Sequence, residues 1–71
     1  MADIVHLHGQ SNLAINIGNQ YKHIRSCVPE HPAVCGAHVE ERCGDFWLIL
    51  EVVALPGRQL PNYVTIEFTD R

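Results

Sequence analysis

The sequence predicts a small, predominantly β domain, α+β at most: an antiparallel sheet or partly open barrel of two hairpins, with room for one short helix within residues 21–43. Three observations predict it. Phe46–Leu55 (FWLILEVVAL) is apolar at every position but Glu51. It is too short for a transmembrane helix, which needs about 20 such residues, and its aromatic and β-branched content favours a strand. Tyr63–Thr69 alternates with period two, setting Val64, Ile66 and Phe68 against Tyr63, Thr65, Glu67 and Thr69, as in a strand covered on one face. Turn signals bracket the central run, Cys43-Gly44-Asp45 before it and Pro56-Gly57 after it.

Taken in order, Asp3–His8 reads as a strand with Val5 and Leu7 on one side and Ile4, His6 and His8 on the other. Gly9-Gln10-Ser11-Asn12 is a turn cluster. Leu13–Ile17 alternates again, so the two runs are expected to form a first hairpin. Gly18-Asn19-Gln20 breaks the pattern. Tyr21–Val28 fits a short helix through Tyr21, Ile24 and Val28, or a strand; any helix should stop by Cys27, because the residue before Pro29 is driven toward extended geometry. Pro29 and Pro32 bound a kinked connector. Ala33–Cys43 is open to two readings. Cys35, Val39 and Cys43 recur at helical spacing with Gly44 as a stop, but Gly36 inside such a helix costs about 1 kcal/mol relative to Ala. A strand over Ala37–Arg42 turning into the central run is the favoured alternative.

The central run and Tyr63–Thr69 are expected to pair as a second hairpin, with Val53 opposite Thr65 and Glu51 opposite Glu67. Phe46, Leu48, Leu50 and Val52 would then share a core face with Val64, Ile66 and Phe68. Trp47, Ile49, Glu51, Val53, Tyr63 and Glu67 would share the other, a surface too apolar for plain solvation and too charged for a sealed core. Carboxylates directly opposite one another repel, so a cation is expected between them, from Arg42 or from a partner.

Seventy-one residues make one small domain, residues 1–71. Chains of this size bury little core and tend to need a metal, a disulfide or a second subunit. The net charge of −3 argues against nucleic acid, whose binders carry a clustered basic excess. No basic-then-apolar leader opens the chain. With three cysteines and no such leader, reduced thiols and a cytoplasmic setting are the expectation; a membrane partner is not expected.

Three constellations carry possible chemistry. Cys27, Cys35, His38 and Cys43 could supply a tetrahedral zinc site, but without a Cys-x2-Cys knuckle they read more simply as small buried side chains, and no metal or other cofactor is assigned. His6 and His8 share a strand face and could titrate or bind metal; a solvated face explains them as well. Tyr21, Lys22 and Arg25 combine an aromatic with positive charge and could touch RNA. No catalytic residue is assigned, since no nucleophile elbow, phosphate-binding glycine pattern or acid–base pair is present. The function expected is that of a non-enzymatic protein-interaction module, a regulator or inhibitor of the phage type that binds a larger host protein or complex through Trp47, Ile49, Glu51, Val53, Tyr63 and Glu67. A homodimer could use the same face or the edge along Tyr63–Thr69. The alternatives are a zinc-stabilised binding module and a small RNA-binding β domain.

Overall fold

The computed structural model describes residues 2–69, which form six strands and, within those residues, no helix. The strands are β1 (Ala2–His6), β2 (Asn12–Gly18), β3 (His23–Pro29), β4 (Ala33–Arg42), β5 (Asp45–Ala54) and β6 (Tyr63–Thr69). They make two three-stranded antiparallel sheets, ordered β1-β6-β3 and β2-β5-β4, that do not close into a barrel. The β class and antiparallel pairing expected from the sequence are therefore found. The strand option holds throughout 21–43, and the helical reading of Ala33–Cys43 does not. Cys35 and Val39 are four apart, a spacing that serves period two as well as a helical turn. Ala33, Cys35, Ala37 and Val39 all turn inward from one strand.

The two expected hairpins do not form. Val5 pairs with Val64 rather than with the Leu13–Ile17 run, and Leu50 lies between Leu13 and Ala37. Val53 is opposite Val34, and Thr65 lies between Ile4 and Val28. The reason lies in the connections. Leu7 N–H donates to the Asn62 carbonyl at 2.8 Å, and Val52 N–H donates to the Ser11 carbonyl at 2.8 Å. The short segment between Leu7 and Ser11 thus leaves one sheet and joins the other, turning through His8 (φ 49°) and Gly9 (φ 80°). The loop from Leu55 to Asn62 does the same, and it buries Pro61 while Leu60 packs on the core. Pro61 lacks an N–H to bond across a ladder, so this loop suits an arch between layers. Glu30 N–H donates to the Tyr63 carbonyl at 3.0 Å before the chain arches to β4. Among the described residues, the one hairpin between sequential strands is β4–β5, through Cys43 (φ 50°) and Gly44 (φ 86°). Two successive positive φ angles match the right-handed twist of the strands they join.

The core is the layer between the sheets. Leu48, Leu50 and Val52 of β5 meet Val64, Ile66 and Phe68 of β6, with Leu7 filling one end. These β5 and β6 residues are core residues expected from the sequence, but they face each other across two layers instead of lying side by side in one sheet. Phe46 lies on the same side and stays half-buried. Val5, Leu13, Ile15, Ile17 and Ile24 complete the layer from the outer strands. Cys27 of β3 and Cys35 of β4 form a disulfide, with Cα atoms 6.1 Å apart, within the span a bridge allows. The expectation of reduced thiols is corrected for this pair: they link one sheet to the other beside the β3–β4 arch. A cross-link of this separation is worth about 2 to 3 kcal/mol in the chain-entropy model, the kind of help a core this small calls for.

Candidate protein-interaction face

Side chains alternate across a strand, so inward Leu48, Leu50 and Val52 force Trp47, Ile49, Glu51 and Val53 outward. Because β5 is the central strand, cross-strand neighbours flank these residues. Trp47 lies between Asn16 and Glu40, Ile49 between Ala14 and His38, and Glu51 between Asn12 and Gly36, while Val53 has Val34 beside it. Val34 and Val53 leave 58% and 51% of their surface in solvent, and their adjacency makes an apolar end to the face. Trp47 and Ile49 are half-buried by their neighbours.

Next to Glu51 the face is concave. Gly36 brings no side chain and Ala14 only a methyl, which leaves a depression of about 550 Å³ whose lining includes Asn12, Ala14, Gly36, His38, Arg42, Ile49 and Glu51. A Cβ built on Gly36 would meet nothing closer than the Glu51 carbonyl oxygen at 4.0 Å. The glycine is therefore not demanded by packing within the chain.

Charge on this face is settled everywhere except at Glu51. Glu40 accepts from His38 Nε2 at 2.8 Å and from Arg42 Nη2 at 3.0 Å. The hydrogen bond from His38 and then that from Arg42 lower the Glu40 pKa from its ordinary 4.5. Asn16 Nδ2 donates to Asp45 at 3.1 Å. Among the described residues no cation lies within ion-pair distance of Glu51. Arg42, expected to neutralise it, is committed to Glu40.

Tyr63 and Glu67 are not on this face. They project from β6 on the far side of the sandwich, where Tyr63 lies beside His6, and Glu67 lies 3.7 Å from Arg25. A bulge between Ile24 and Ser26 brings Arg25 to that position. The structure thus keeps four of the expected partner-binding residues together, Trp47, Ile49, Glu51 and Val53, and separates the other two. Glu51 and Glu67 do not oppose each other. Sequence reasoning missed Gly36 and Ala14, whose lack of bulk makes the depression; their position became meaningful only with the β2-β5-β4 register.

The other constellations disperse. Cys27 and Cys35 are spent in the disulfide, His38 projects outward from β4, and Cys43 is exposed in the hairpin turn. Among the described residues no group of three or more His, Cys, Asp and Glu side chains could hold a metal. His6 and His8 approach to 5.8 Å between ring centroids. Tyr21 packs edge-on against His23 and Phe46, Lys22 Nζ lies 4.9 Å over the Phe68 ring, and Arg25 is near Glu67. The basic cluster is thus divided among contacts within the chain. No helix among the described residues is long and apolar enough to cross a membrane. Comparison with family models, characterised proteins and solved structures finds no match for this chain.

Proposed function

We propose that this domain is a non-enzymatic interaction module that binds a larger protein through the outer face of β2-β5-β4. The observation that carries the reading is Glu51: an exposed carboxylate with no cation in ion-pair distance among the described residues, beside a depression that Gly36 leaves open and between apolar Ile49 and Val53. An unpaired charge rimmed by apolar and aromatic groups is the arrangement in which a few residues dominate binding. The complementary partner presents a Lys or Arg whose aliphatic stem lies in the depression and whose charged end meets Glu51. A regulator or inhibitor that works by covering a surface of a host protein, of the kind phages encode, needs nothing more than such a face. The Cys27–Cys35 bond supports an oxidising setting for the working form rather than a reducing cytoplasm.

The test is variant-dependent capture of a partner from extracts of the native host. Trp47→Ala and Glu51→Lys are expected to weaken capture about thirtyfold or more, with circular dichroism and melting close to wild type. Tyr63→Ala, on the opposite face, is expected to leave capture unchanged. Equal loss with Tyr63→Ala, or unfolding by Trp47→Ala, overturns the assignment of faces.

A further inference from the structure

We infer that the free edge of β2 pairs with β2 of a second copy of this chain, about a two-fold axis at Ala14. The sandwich has four edge strands, β1 and β3 in one sheet and β2 and β4 in the other. Unpaired strand edges recruit other strands unless charge, proline, a bulge or brevity discourages it. β1 is short and carries Asp3 and His6. β3 has Arg25, Pro29 and a bulge. β4 ends in Glu40, Glu41 and Arg42 and lies beside β3, to which the disulfide fastens it. β2, Asn12-Leu-Ala-Ile-Asn-Ile-Gly18, contains neither a charge nor a proline; its one irregularity falls between Asn16 and Gly18 at the end of the strand, and its register with β5 is regular from Asn12 to Asn16. Its stretch from Asn12 to Asn16 is the least guarded edge segment of the four. The expected dimer edge along Tyr63–Thr69 is unavailable, because β6 is the central strand of its sheet.

The backbone parity fits a two-fold. Val52 N–H donates to the Ser11 carbonyl, which makes Ser11 and Val52 a hydrogen-bonded pair at the end of the β2–β5 ladder. In an antiparallel ladder such pairs alternate with non-bonded ones. Leu13 and Ile15 therefore bond to β5, and the amides and carbonyls of Asn12, Ala14 and Asn16 point away from it. With Ala14 opposite its own symmetry mate, Asn12 falls opposite Asn16 of the second copy. Each of these residues then pairs an outward N–H and an outward carbonyl. On the inner side Leu13 comes opposite Ile15 of the second copy. Both are half-buried hydrophobics at the margin of the core, and pairing covers the flank they leave exposed. Ala14 at the axis is small enough to face itself. The product is one continuous six-stranded sheet closed by an isologous interface.

The experiment is sedimentation of the full chain from micromolar to millimolar concentration, with the disulfide intact. Wild type is expected to show a monomer–dimer equilibrium. Ala14→Pro removes an N–H that is unpaired in the monomer, a change edge strands tolerate. It removes the pair of bonds at the axis and should weaken the dimer about thirtyfold. Ala14→Lys keeps the backbone intact and sets like charges across the axis, weakening the dimer about tenfold at low salt and less at high salt. Control variants Ile4→Lys on β1 and Val34→Lys on β4 should dimerise as wild type does. Amide exchange adds a second readout: the N–H groups of Asn12, Ala14 and Asn16 should slow as concentration rises. A wild-type chain that stays monomeric to millimolar overturns the inference. So does a dimer indifferent to Ala14→Lys, or one that Ile4→Lys or Val34→Lys dissolves. The readout is mass and exchange, so failure here leaves the partner reading of the Trp47 face standing.

Discussion

The two outer faces of this sandwich start from similar material and end differently. Each has a central strand with an outward glutamate, Glu51 on β5 between Ile49 and Val53 and Glu67 on β6 between Thr65 and Thr69. On the β1-β6-β3 face, a bulge in β3 brings Arg25 within 3.7 Å of Glu67, and Ile4, Thr65 and Val28 form a row across all three strands. On the β2-β5-β4 face the cation expected to answer Glu51, Arg42, is held by Glu40, and Glu51 is flanked by Asn12 and Gly36. One carboxylate is answered within the chain and the other is left with a hollow beside it. The faces differ in their central strands, Trp47, Ile49 and Val53 against Tyr63, Thr65 and Thr69, and the register of the flanking strands decides which glutamate meets a cation.

The largest effects should come from the inner faces, where the two sheets are equivalent. Leu50→Ala on β5 and Ile66→Ala on β6 each remove a fully buried side chain from the common layer. Each should cost about 2 to 5 kcal/mol in urea unfolding. Outward Trp47→Ala should cost far less. Were Trp47→Ala as damaging as Leu50→Ala, the contrast between inner and outer sides of β5 would collapse. Next in size is the link between the sheets. Cys27→Ser with Cys35→Ser should lower stability by about 2 to 3 kcal/mol, whereas Cys43→Ser, exposed and unpaired, should leave the unfolding midpoint where it was.

These core residues were legible in the sequence because period two marks sides whatever the strands pair with. Leu48, Leu50, Val52, Val64, Ile66 and Phe68 separate from their neighbours by alternation alone. Pairing was not legible in the same way. Pro56–Asn62 carries turn residues that serve a hairpin or an arch equally, and the difference rests on Leu60 and Pro61 turning into the core. Once β5 and β6 went to different sheets, Tyr63 and Glu67 left the candidate face. Gly36 could be read only as a helix-weakening residue, since a gap on a sheet face exists only relative to the strands beside it. The disulfide was hidden for a related reason: an eight-residue spacing says nothing until the chain between the two cysteines is seen to arch between layers.

The comparison of faces sharpens at Gly36. Its Cβ position is open and its φ is not in the left-handed region, so Gly36→Val should fold as well as wild type or better, by up to about 1 kcal/mol. The added side chain occupies the hollow beside Glu51. Partner capture should therefore fall while stability holds or rises, a combination that a purely structural role for the face does not produce. Capture undiminished by Gly36→Val would show that the hollow is not what the partner reads.

The smallest effects belong to the surface ion pairs, and they test whether either face draws stability from its charges. The Arg25–Glu67 pair is long and leaves 68% and 42% of the two side chains exposed. Arg25→Ala should cost under about 1 kcal/mol, less in high salt. Glu40 on the other face gives the matching experiment in pH. Its carboxyl titrates below its ordinary value of 4.5 because His38 and then Arg42 hydrogen-bond to the charged form. A group whose folded pKa is depressed contributes stability that is present above its ordinary pKa and is lost as pH falls through the lowered one. Wild type should therefore melt slightly above Glu40→Gln near neutrality, and the gap should close as pH falls below 4.5. The side chains are exposed, so the gap is expected to be small. A gap that stays open well below pH 4.5 would mean that the two donors do not favour the charged carboxylate, and the contrast with Glu51 would lose its basis.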